Sequence, residues 1–197
     1  MPERDSLPTW EMAATAAGRG VTLVYHVHFI CAPDYMARRL PFRPGHLKQL
    51  ATLRAEGRVV AGGPEPDGTA ANIFYRVADR DELARLLEEN EFNRAGLFTS
   101  QEPRAFAEFL EPLMLPPLDA GLRVSIVEGP ARDRAAARMG LVELRRQAHA
   151  AFGGFFENGA ALVVVRSPEP DEAVRLVAAA GGWEPTRLTG RSWSQTL

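Results

Sequence analysis

An α+β fold is predicted by three features of the sequence: segments rich in β-branched and aromatic residues, segments with leucine or alanine at helical spacing, and an order of the two, βαββαβ, that occurs twice. Val21 to Ile30 reads as a strand that stops at Pro33-Asp34. Along it Leu23, Tyr25, Val27 and Phe29 share one face, and Thr22, Val24, His26, His28 and Ile30 share the other. Gly45 to Glu56 carries Leu47, Leu50, Ala51 and Leu53 at helical spacing, between a Pro44 suited to a helix start and a Gly57 suited to a stop. Arg58 to Ala61 and Ala71 to Val77 are two further strands, joined by a loop rich in Gly, Pro and Asp. Asp79 caps a helix with Leu83, Leu86 and Leu87 on one stripe, ending near Asn90, and Gly96 to Arg104 supplies a fourth short strand.

The second half keeps this order with other residues. Arg123 to Glu128 is a strand, and Asp133 to Ala151 a helix with Ala137, Leu141, Leu144 and Ala148 along one stripe. Phe155 to Gly159 turns into Ala161 to Val165, with Asn158-Gly159 as the hairpin signal. Asp171 to Ala180 is a helix stopped by Gly181-Gly182, and Thr186 to Trp193 is the last strand. The expected architecture is two tandem ferredoxin-like units packed sheet to sheet as an α+β barrel, because a bare apolar sheet on either unit would expose too large a patch. The expected divisions are a helical extension over 1–20, a first domain over 21–112, a linker over 113–121 and a second domain over 122–197.

Composition narrows the function. Lys and Arg number 23 and Asp and Glu 25, for a formal charge of −2, so no strong field draws the chain to nucleic acid or to an anionic membrane. The single cysteine, Cys31, can form neither an internal disulfide nor a paired-cysteine metal site. No apolar run approaches the roughly 20 residues that span a bilayer, and the start lacks the pattern of a signal peptide. A cytoplasmic protein acting on a small molecule is expected. Phosphate-loop, dinucleotide, esterase-elbow and zincin motifs are absent.

Residues 20 to 110 carry Arg43-Pro44-Gly45-His46-Leu47, then Gly57, Gly63-Pro64 and Gly68, then Asn90-Glu91-Phe92-Asn93-Arg94-Ala95-Gly96-Leu97. In order and spacing these resemble the YCII-like family, within the dimeric α+β barrel superfamily. The resemblance implies a homodimer whose sheets face each other as an α+β barrel, which two tandem units could also close within one chain, and lyase or dehydrochlorinase chemistry through a His-Asp pair. His46 matches the histidine of that pair, whereas Asn90 stands where the family has Asp, and an amide orients an imidazole without stabilising its cation.

From the residues themselves, His46 begins a helix and could reach the barrel mouth, and histidine exchanges protons near neutral pH. His26 and His28 share the strand face turned away from the helices, so both are expected between the sheets, where burial without a partner costs about 1–3 kcal/mol. Arg39 and Arg43 could hold a carboxylate or enolate, and Tyr75 and Phe92 could line an apolar cavity. The three histidines could ligate a metal, but no carboxylate fourth ligand accompanies them, so neither metal nor organic cofactor is expected. These readings combine into a cofactor-independent lyase, isomerase or cyclase acting on a carbonyl-bearing, mostly apolar substrate held between the two sheets. His46 is the general base, Asn90 its orienting group, and His26 or His28 the stabiliser of an enolate. The alternatives are a cofactor-free α+β-barrel monooxygenase and a non-catalytic binding or scaffold protein.

Overall fold

The computed structural model describes residues 22–113 and 122–196. The expected N-terminal helix over 1–20, and the linker over 113–121 apart from Leu113, lie outside them. The strands are β1 (Leu23–Cys31), β2 (Val59–Pro64), β3 (Ala70–Val77), β4 (Phe98–Leu110), β5 (Leu122–Pro130), β6 (Ala150–Phe156), β7 (Ala160–Val165) and β8 (Thr189–Gln195). The helices are α1 (Tyr35–Arg38), α2 (Arg43–Ala55), α3 (Arg80–Glu89), α4 (Glu91–Arg94), α5 (Arg134–Arg146) and α6 (Pro170–Ala179). No helix among the described residues is long and apolar enough to cross a membrane.

Local chemistry accounts for these elements. In β1 the Leu23, Tyr25, Val27, Phe29 face is buried against the helices. Asp79 caps α3 by accepting from the Glu82 amide at 2.7 Å, while the Glu82 carboxylate accepts from the Ala78 amide at 2.6 Å. Asp133 caps α5 in the same way, accepting from the Ala136 amide at 3.0 Å.

The assembly of the strands corrects the expected architecture. They form one continuous antiparallel sheet in the order β2-β3-β1-β4-β6-β7-β5-β8, not two sheets facing each other, and no ladder joins the outer edges β2 and β8 into a closed barrel. The junction is β4. Its first part pairs with β1, from Ala105 opposite Tyr25 to Phe98 opposite Cys31, and its last part pairs with β6, from Phe106 to Leu110. Two features were hidden in the sequence: β4 runs past Arg104 to Leu110, and β6 is a full strand. An edge strand leaves a row of unpaired backbone groups, so pairing β4 with β6 satisfies both halves at once.

Helices cover one face of the sheet, over two separate apolar clusters. The other face curves around a third cluster drawn from every strand: Val24, Val60, Phe74, Phe106, Ile126, Phe152, Val164 and Trp193.

Candidate functional site

The expected pocket between two facing sheets is absent among the described residues, because the strands form a single sheet; a cavity of about 170 Å3 lies instead on the helix-covered face, between α1, the start of α2, α4 and the sheet. Its walls include Tyr35, Arg39, Arg43, His46, Leu50, Ile73, Phe92 and Phe98. The first turn of α2 carries His46 into this wall at 6% exposure. Its ring stacks on Phe92 with centroids 3.8 Å apart and planes 11° from parallel. The Nδ1 atom is buried without a hydrogen-bond partner. Burial lowers the imidazole pKa to about 4, against the opposing influence of the Asn90 amide and with help from the Arg43 charge.

Asn90 is buried at the break between α3 and α4, where its Oδ1 accepts from the Phe92 amide at 3.0 Å. It therefore caps the short helix that holds Phe92 against His46. Glu91, the carboxylate that follows Asn90 in the chain, packs over Gly45 at the start of α2. Arg39 lies with its guanidinium carbon 5.3 Å from the centre of the Tyr35 ring, and its Nε is buried without a partner. Arg43 is exposed at the rim. Tyr75 is fully buried in the same core without lining the cavity, and burial pushes its phenol pKa up.

His26 and His28 do not join His46. They lie on the opposite face of the sheet, where the His26 ring sits 4.9 Å from Phe74 and 6.4 Å from the His28 ring. The expected convergence of three histidines, and with it a shared metal set or an enolate stabilised from His26, is corrected by strand alternation: α2 covers the Ala71 and Ile73 side of β3, and the two histidines face the Asn72 and Phe74 side. Among the described residues, no group of three or more His, Cys, Asp or Glu is placed to hold a metal.

His26 is instead the centre of a buried polar network. Its Nε2 lies 2.8 Å from Asn72 Oδ1 and its Nδ1 3.0 Å from Arg104, so Nε2 donates and Nδ1 accepts. Burial lowers its pKa to about 3, opposed by the Asn72 bond and reinforced by the charges of Arg104 and Arg191. Arg104 grips the Glu128 carboxylate with both terminal nitrogens. Arg191 reaches Glu65 at 3.1 Å, and Asn72 donates to Glu65 at 3.2 Å. His28, partly exposed, lies 3.8 Å from the same Glu65. Sequence reading missed Arg104, which stands directly opposite His26 in the ladder, because β4 was expected to end there. It also missed Tyr35, carried by the unanticipated four-residue α1, and Thr196, which lines the cavity from the far end of the chain.

Residues 24–107 match the model of the YCII-related domain, in agreement with the resemblance read over 20–110. No curated protein matches the chain. Solved structures share the fold over nearly its whole length. A candidate monooxygenase from Lactobacillus acidophilus is 8% identical, with a TM-score of 0.58 over 89% of this chain and 94% of its own. A second candidate monooxygenase, from Fusobacterium nucleatum subsp. nucleatum, is 7% identical, with a TM-score of 0.52 over 91% and 94%. A heme-binding protein from Thermus thermophilus is 12% identical, with a TM-score of 0.52 over 89% and 92%. At these identities the likeness is one of fold, and a fold hosts many chemistries.

Proposed function

We propose that the chain is a small-molecule enzyme whose substrate is a single-ring compound bearing an ionisable oxygen, bound in the His46 cavity. The observation that carries this reading is a cavity of about 170 Å3, mostly apolar, with two buried and unpartnered polar atoms at its wall, His46 Nδ1 and Arg39 Nε. A dry apolar cavity of about 150 Å3 accommodates benzene, so one ring fits. The ring would stack beside Phe92 and Phe98, and an oxyanion would satisfy the unpaired groups, with the Arg43 charge at the rim.

Cofactor-free oxygenation asks least of this site. With a pKa near 4, His46 is neutral at pH 7, and burial opposes the imidazolium that a lyase or isomerase base must form. Oxygenation needs mainly an electron-rich substrate anion held away from water. A ring CH2 would become a carbonyl, one atom of O2 entering the substrate and the other leaving as water, so the electrons come from the substrate and no outside reductant is needed. The fold shared with candidate monooxygenases supports this choice. Elimination or isomerisation with His46 as base is the second reading, favoured by the unprotonated ring at the cavity wall.

The test combines binding with gas exchange. Benzoate, phenol and catechol should raise the melting temperature, and Arg39→Ala should weaken benzoate about tenfold, near the worth of one charge-assisted hydrogen bond. A panel of single-ring enols and phenols should include one that consumes one O2 per turnover. Turnover at full rate without oxygen would transfer the assignment to the lyase or isomerase reading, and no binding by any probe would remove the site.

A further inference from the structure

One wall of the His46 cavity comes from the end of the chain: Thr196 lines it beside Gly63 and Pro64 of β2. β2 and β8 are the two outer edges of the sheet, and no ladder joins them. A few contacts hold this seam. The Thr196 amide and hydroxyl donate to Gly62 O at 3.0 and 3.3 Å, and the Trp193 indole donates to Gly63 O at 2.8 Å. Near it the Arg191 and Glu65 side chains lie 3.1 Å apart with a longer contact from Arg191 to Asn72, and Trp193 shares one buried cluster with Val60 and Ala61 of β2. The two edges meet this closely because residue 63 is glycine; a Cβ there would collide with the Ser194 carbonyl. On its other side, β8 is fixed to β5 by an unbroken register from Leu122 opposite Gln195 to Glu128 opposite Thr189.

We infer that docking of the end of β8 onto β2 is coupled to ligand binding in the His46 cavity, so that the chain's second half sets the affinity of a site otherwise built by the first. This rests on the cavity being the ligand site. A ligand that touches the docked wall stabilises it, and by linkage whatever the ligand contributes to docking, docking returns to affinity. The Thr196 contact, two hydrogen bonds on one carbonyl just past the last ladder pair of β8, opens at low free energy while the buried Trp193 stays packed, which makes Thr196 the element of this site most open to bias.

Amide hydrogen exchange on the full chain, with and without saturating benzoate, tests the coupling. Without ligand, the Thr196 amide proton should exchange at least about 100-fold faster than amides of the central β1–β3 ladder. Benzoate should slow it about tenfold, and a chain ended at Gln195 should lose affinity for benzoate by the same factor. Gly63→Ala should act in the same direction, and the truncation serves where that variant fails to fold. Benzoate bound with no change in seam exchange, or bound equally by the truncated chain, would overturn the coupling and leave the ligand site standing. Absence of benzoate-induced shifts at His46 and Phe92 would remove the ligand site and the coupling together.

Discussion

His46 and His26 are both buried imidazoles, yet their surroundings differ in kind. Both nitrogens of His26 are engaged, by Asn72 and Arg104, while Nδ1 of His46 has no partner at a cavity wall. His46 was legible in the sequence because it sits in a helix start that carries a family resemblance. The partners of His26 were not, since residues 72, 104, 128 and 191 meet only through the sheet. Both rings have folded pKa values below the ordinary 6.5, near 4 for His46 and near 3 for His26, so the folded state binds fewer protons than the unfolded state between those values and 6.5. Stability therefore rises with pH in that window and is lost as pH falls below 6.5. His46 alone accounts for about 3 kcal/mol between pH 6.5 and 4, taking 1.36 kcal/mol per pH unit. Urea unfolding at pH 7, 5.5 and 4.5 should show the decline, and His46→Gln should reduce its slope by about half, leaving the part due to His26. Glu128, whose burial is outweighed by Arg104, stays below the usual carboxylate range and contributes to acid loss only below about pH 4.5. A wild-type stability unchanged between pH 6.5 and 5 would contradict the placement of both histidines.

At the scale of elements, the helix ends tell how much of the fold could be read. α2 ends with the Gly57 amide donating to Arg54 O and the Arg58 amide to Leu53 O, and Gly57 has φ +76°. α5 ends identically, the Ala148 amide donating to Arg145 O and the His149 amide to Leu144 O, but the left-handed position is Ala148, with φ +62°. The glycine made the first stop readable. Its absence let the expected helix run from Asp133 to Ala151, when α5 ends at Arg146 and Ala150 already belongs to β6. An alanine there carries a cost of about 1 kcal/mol that glycine does not, so Ala148→Gly should raise stability by about that amount. A melting temperature equal to or below that of the parent would refute the strain. The break between α3 and α4 yields a second prediction. Asn90→Ala removes the cap on the Phe92 amide, and should cost about 1 kcal/mol and loosen the Phe92 stack on His46. A weakened ring-current shift on the His46 imidazole protons would report the loosening, and an unchanged shift would limit the effect of Asn90 to stability.

For the whole molecule, the order of elements was legible and their assembly was not. Alternation and turn residues act locally, whereas the pairing of Phe106–Leu110 with β6 is chosen among all available edges. That one pairing makes two expected layers into a single sheet, with consequences for unfolding. The cluster on the helix-free face takes Phe74 and Phe106 from one half and Phe152 and Trp193 from the other, in ring contact through Phe74 with both Phe152 and Trp193. Arg104 of β4 and Glu128 of β5 bridge the halves beside it. Neither half can keep its side of that cluster dry alone, because separation would expose the face to water at about 25 cal/mol for each Å2 of apolar surface. The chain should therefore unfold in one calorimetric transition, with equal van't Hoff and calorimetric enthalpies, although its length would allow two domains. A double-mutant cycle on Arg104→Met and Glu128→Gln should return a coupling of about 1–3 kcal/mol, since both groups are largely buried and charge-assisted. Two resolved transitions, together with a coupling near zero, would mean that the halves meet without depending on each other. One transition with a strong coupling would place the bridge, along with the shared aromatic cluster, among the contacts that make the sheet a single cooperative body.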